Sequence, residues 1–139
     1  MKSRTMILAI LLTLVLAVFL SACGQSVADA KQQFCDSLNK LNTAVDKLQN
    51  VDASTKIEDV KQIKAEVEDA WKKLEKSSAV LKKVQMKESQ DAYDQVKKEV
   101  DKAVTGESTL GESAAAIAAG AKKLDVTLKA INTTICGVK

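Results

Sequence analysis

Three thiols hold most of the chemical potential of this 139-residue chain: Cys23, Cys35 and Cys136. A thiolate is a nucleophile and a metal ligand, but near neutral pH it forms only beside a base, a cation or a metal. The chain has no histidine, the commonest general base and a common metal ligand. Cys35 and Cys136 are far apart in sequence and neither belongs to a CxxC pair, so no metal and no cofactor is expected. The carboxylates Glu66, Glu68 and Asp69 are close enough in sequence for acid–base work. They stand among lysines and outside the apolar stripe of their segment, which keeps them ionised and solvated. The chain therefore reads as not an enzyme; a catalytic role would need Cys35 or Cys136 as a free nucleophile with nothing to activate it.

Cys23 has a different setting. Lys2 and Arg4 precede an uncharged apolar run from Met6 to Leu20, broken only by Thr13, and the small residues Ser21 and Ala22 follow. Basic, apolar and small segments in that order are the layout of an export signal. The run is shorter than the roughly 20 residues a bilayer-spanning helix needs. Leu20-Ser21-Ala22-Cys23 resembles the lipobox of bacterial lipoproteins. That resemblance implies a diacylglyceryl group on Cys23, acyl chains of the palmitate kind, and cleavage between Ala22 and Cys23. Residues 1–22 are then a signal peptide, 23–28 a lipidated tether and 29–139 a helical domain. Two acyl chains hold a protein stably on a bilayer. The expected partner is thus the membrane, through the lipid on Cys23, with the domain on the cell membrane or outer membrane and facing outside the cytoplasm. Gly24, in place of an aspartate, resembles lipoproteins that double-membraned bacteria send to the outer membrane.

Beyond residue 22 the chain keeps nineteen basic residues against eighteen acidic ones, and Arg4 is its only arginine. A near-neutral domain without guanidinium groups, with only Phe34, Trp71 and Tyr93 as aromatics, excludes a nucleic-acid partner. Outside the cytoplasm an even pair of cysteines reads as a disulfide, so Cys35 and Cys136 are expected to be joined.

The elements that must position that bridge are helical. Phe34, Leu38, Leu41, Val45 and Leu48 recur at spacings of four and three, one face of a helix from Asp29 to Gln49. A turn at Asn50–Ser54 follows. Thr55 and Glu58 have capping-box spacing and open a second helix with Val60, Ile63, Val67, Ala70 or Trp71, Leu74, Leu81 and Val84 inward. Glu68–Lys72 and Asp69–Lys73 are expected ion pairs along it. No glycine or proline marks its end. Three antiparallel helices would separate Cys35 from Cys136, whereas four bring them together, and a disulfide needs alpha carbons within about 7 Å. The count therefore requires a break, placed at Met86–Gln90. A third helix carries Tyr93, Val96, Val100 and Ala103 or Val104 inward and ends at Gly106. The fourth has the clearest pattern, Leu110, Ala114, Ile117, Ala121, Leu124, Leu128, Ile131 and Ile135, with a capping box at Thr109 and Glu112. The expected fold is all-α, an antiparallel up-down-up-down four-helix bundle stapled by one disulfide.

On this reading the chain is a cell-envelope lipoprotein acting as a non-enzymatic interaction or structural module, with an envelope protein as a possible partner. Two features suggest contact surfaces: the small residues Ala115, Ala116, Ala119 and Gly120, and the turns at 50–54 and 105–108. An alternative is a carrier of a small apolar ligand in the bundle core, which an internal cavity would favour. A further alternative comes from the ending Ile135-Cys136-Gly137-Val138-Lys139, which resembles the murein lipoproteins of enteric bacteria in closing on a lysine and implies cell-wall attachment through Lys139. The chain departs from that family in its turns, its cysteine pair and the lack of aromatic and basic residues before Lys139.

Overall fold

The computed structural model describes residues 26–81, 84 and 86–137. Cys23, the segment before it and Lys139 lie outside them. The described residues form four α-helices and a terminal π-turn: α1 (Val27–Gln49), α2 (Ile57–Leu81), α3 (Lys87–Thr105), α4 (Leu110–Ile131) and the turn Asn132–Cys136.

Helix α1 begins two residues earlier than the apolar spacing predicts. Ser26 caps it, its hydroxyl accepting the N–H of Asp29 at 3.1 Å, so Val27 and Ala28 belong to the helix and not to a tether. The capping box at Thr109 and Glu112 is present in both directions. The equally spaced box at Thr55 and Glu58 is not. Thr55 is taken by the preceding turn, where its hydroxyl accepts the Asp52 N–H at 3.0 Å and donates to Asp52 Oδ1 at 3.1 Å. That Asp52 oxygen also accepts the N–H and hydroxyl of Ser54.

The second helix also ends sooner than expected. Helix α3 starts at Lys87, inside the segment assigned to the break, and α2 stops at Leu81. Two serines in the last turns of α2 bond back to its own carbonyls. Ser77 donates to the carbonyls of Lys73 and Leu74, and Ser78 to that of Glu75. Side-chain bonds of this kind offer the backbone an alternative to continuing the helix. Gly106 closes α3 in the left-handed conformation at φ 80°, which glycine adopts without steric cost.

The apolar stripes meet in one core. Phe34, Leu38, Leu41, Val45 and Leu48 of α1, Val60 and Leu74 of α2, Val96 and Val100 of α3, and Ile117, Leu124 and Leu128 of α4 are all but fully buried. Ile63, Leu81, Val84, Val104, Leu110, Ile131 and Ile135 pack at its margin. Helix α1 packs most extensively against α2, α3 against α4, and α1 against α4; α2 and α3 meet over much less of their length. Gly120 explains how close α3 and α4 come: a Cβ there would lie 2.9 Å from Val96 Cγ2.

Candidate functional site

Cys35 directly follows the core residue Phe34, and Cys136 follows Ile135, so each thiol is rotated off the buried stripe by one helical step. Both are half-buried against the margin of the core, and they are joined, with alpha carbons 5.8 Å apart and a sequence separation of 101. Cys136 closes the π-turn after α4. Thr133 and Thr134 donate their hydroxyls to the carbonyls of Lys129 and Ala130, and Gly137, at φ 73°, returns its N–H to Asn132 at 3.2 Å. A half-free helix end is thereby tied into itself before it reaches the bridge.

Beside this turn lies an open groove of about 520 Å³. Its walls are Lys87, Glu88 and Ser89 from the start of α3, and Thr127, Ala130, Ile131, Thr134 and Ile135 from the end of α4 and its turn, with Val84. Ser89 is 1% exposed, and its hydroxyl has no hydrogen-bond partner. No side chain caps the start of α3. The sequence reading assigned Ser89 to a turn. Its place four residues before Tyr93, continuing that stripe backwards, was the signal available for finding it.

The seam between α2 and α3 is polar outside and aromatic within. Trp71 and Tyr93 stack there. Over them, four side chains alternate in charge: Lys97 bonds Glu68 at 2.6 Å and Asp101 at 3.2 Å, and Lys64 meets Asp101 at 3.0 Å and Glu68 at 3.5 Å. Glu68 is therefore drawn across the seam and not to Lys72, the partner its spacing suggested. Asp69 does pair with Lys73, at 2.6 Å. The hydrogen bond from Lys97 holds the Glu68 carboxyl below the usual range, and that from Lys47 does the same for Glu66. Burial pushes Asp101 up, but its bonds to Lys64 and Lys97 outweigh that and leave it lowered. All three are ionised acceptors tied to lysines, an arrangement for joining helices rather than for moving protons.

Beneath this ring, a void of about 10 Å³ is lined by Val67, Tyr93, Val96 and Val100 among others, about the space of one water. Asp125, one step past Leu124, is a polar residue within the α4 core face; its Oδ2 accepts Lys129 at 2.7 Å while Oδ1 has no partner. Among the described residues no three metal-ligating side chains converge, and no helix is long and apolar enough to cross a membrane. Ala115, Ala116 and Ala119 are exposed, while Gly120 is buried against α3. No family model, no curated protein and no solved structure matches the chain.

Proposed function

We infer that this chain is a lipid-anchored protein of the bacterial cell envelope whose helical domain serves as a non-enzymatic interaction or structural module. The observation that carries the reading is the Cys35–Cys136 bridge. Disulfides form and persist in oxidising compartments, and the N-terminal segment ending at Cys23 supplies the export route and the lipid. The helices form an antiparallel up-down-up-down bundle. Two contacts support that topology: Cys35 near the start of α1 is bonded to Cys136 just past the end of α4, while Ala53, just past the end of α1, lies 3.6 Å from where a Cβ on Gly111, near the start of α4, would stand. In this arrangement the tether and the bridge share one end. The connections 50–56 and 106–109 share the other, which faces away from the membrane and is the first place for a soluble partner to touch.

The test is fractionation of a bacterial host expressing the full chain or its Cys23→Ser variant, with mass analysis of the N-terminal peptide. The wild type should sediment with membranes and begin at an acylated Cys23, and the variant should lose both properties. An unmodified Cys23 in the wild type, on a chain still beginning at Met1, overturns the reading.

A further inference from the structure

The two ends of the bundle differ in charge and in polarity. The connections at the far end, with the first helical turns after them, carry Asp52, Glu58, Asp59, Glu107 and Glu112 against Lys56 alone. At the end that holds the bridge, Lys87 stands beside Glu88 at the start of α3 and Lys31 follows Asp29 early in α1. The connection leading into α3 adds Lys82 and Lys83 in sequence. Apolar surface is placed at the same end. Three large hydrophobic side chains stand exposed among the described residues, and two of them are here: Val27 in the first turn of α1, 69% exposed, and Val80 in the last turn of α2, 37% exposed. The open groove beside the disulfide turn adds Val84, Ile131 and Ile135.

We propose that the bridge end of the bundle docks on the surface of a bilayer containing anionic lipid, with Val27 and Val80 at the headgroup–acyl boundary and Lys31 and Lys87 among the headgroups. The proposal rests on the anchored reading, because the anchor decides what covers this end. Cys23 precedes the cap Ser26 by three residues, which reach at most about 11 Å, so an acyl chain on Cys23 brings the start of α1 to the headgroups. Exposed apolar side chains set among lysines are what an anionic interface holds. This contact is separate from the lipid itself, and what it adds is orientation. Helix α2 has 25 residues, a length of about 37 Å, whereas charges act across a Debye length of about 8 Å at physiological salt. Standing on its bridge end, the bundle keeps its acidic end beyond the reach of the anionic surface. Lying flat would press those carboxylates against it.

Lysine footprinting tests the docking. The full chain, as its expression host delivers it, is reconstituted with vesicles of phosphatidylcholine alone or of phosphatidylcholine with phosphatidylglycerol, recovered by flotation, treated with a membrane-impermeant acylating reagent and mapped by peptide mass analysis. Lys31, Lys56 and Lys87 are all exposed in the fold, so each reports on what covers it. On the anionic vesicles Lys31 and Lys87 should react about fivefold more slowly than on the neutral ones, the weight of one lysine at a charged surface. Lys56, at the far end, should keep its rate, and high salt should erase the difference. Val27→Asp with Val80→Asp should return Lys31 and Lys87 to their rates on neutral vesicles. Both positions are exposed, and thermal melts check that the fold survives. Equal reactivity of Lys31 and Lys87 on the two kinds of vesicle, equal protection at both ends of the bundle, or no effect of the double variant each overturns the proposal. The same digest reports the anchor separately. An acylated Cys23 with unprotected lysines overturns the docking and keeps the anchor, whereas an unmodified Cys23 with protected lysines removes the anchor and keeps the docking surface. A chain that floats with neither kind of vesicle overturns both.

Discussion

Trp71 of α2 and Tyr93 of α3 lie face to face, with ring centroids 4.3 Å apart and planes 5° from parallel. They are the only tryptophan and the only tyrosine in the chain, so the seam where two helices meet least reports on itself. Tyr93 is pushed up to about 12, first by burial and then by the charge of Glu68. Phenolate absorbance should therefore titrate with a midpoint near 12 in the folded protein and near about 10 in denaturant. The folded value is the higher one. The stabilisation is thus complete below the unfolded pKa and drains away as pH rises from about 10 to about 12. Glu68→Gln should move the folded midpoint downward.

The charged ring over that seam governs the acid limb. Glu68 is lowered chiefly by its bond from Lys97, and Asp101 is lowered by Lys64 and Lys97 despite its burial. Folded values below unfolded ones mean that the contribution is present above the ordinary carboxylate pKa, about 4, and is lost as pH falls through the lower folded values. The pairs are partly exposed, so Glu68→Gln with Asp101→Asn should cost no more than about 1 kcal/mol per pair at neutral pH. Urea denaturation should show that cost shrinking in high salt and disappearing once pH falls below the lowered folded values.

Loss of the bridge should be the largest single effect. The double variant Cys35→Ser with Cys136→Ser opens a loop spanning 101 residues, for which the chain-entropy model gives about 4.7 kcal/mol. Denaturation with and without reductant measures this in the wild type. The double variant should match the reduced protein and be indifferent to reductant.

Gly120 should resist a methyl group. Alanine is a better helix former by about 1 kcal/mol, but its Cβ would sit 2.9 Å from Val96 Cγ2, on a buried side chain that is stiff about χ1. Overpacking costs about 1–3 kcal/mol, so Gly120→Ala should destabilise by about 1 kcal/mol on balance. In a Val96→Ala background the same change should become neutral or stabilising, and thermal melts of the four proteins close the cycle.

What was legible in the sequence followed from local spacing. The α4 stripe from Ala114 to Leu128 is buried as its periodicity required, and the helix count followed from two cysteines that could meet in no odd-numbered bundle. Local spacing failed where a neighbour could claim the same group. Thr55 and Thr109 have identical capping signatures, and only the turn at Asp52 decides between them, because a carboxylate three residues upstream captures the first hydroxyl. The end of α2 was not legible: Ser77 and Ser78 bond back to its carbonyls, but Thr43 does the same within α1, which continues to Gln49. The burial of Ser89 could be read from its place four residues before Tyr93, but not that its hydroxyl is unpartnered, since that depends on how the end of α4 comes to lie beside the start of α3.

The bridge also fixes how the domain carries tension. A pull applied between residues before Cys35 and residues after Cys136 passes directly through the sulfur–sulfur link, and the hundred residues between them form a slack loop in parallel with it. The helices bear almost none of that load. Stretching the chain from outside the bridge can peel away the first turns of α1, with Ala30 and Phe34, but reaches the helices between the two cysteines only when a covalent bond breaks, so their mechanical strength comes from chain topology and not from packing.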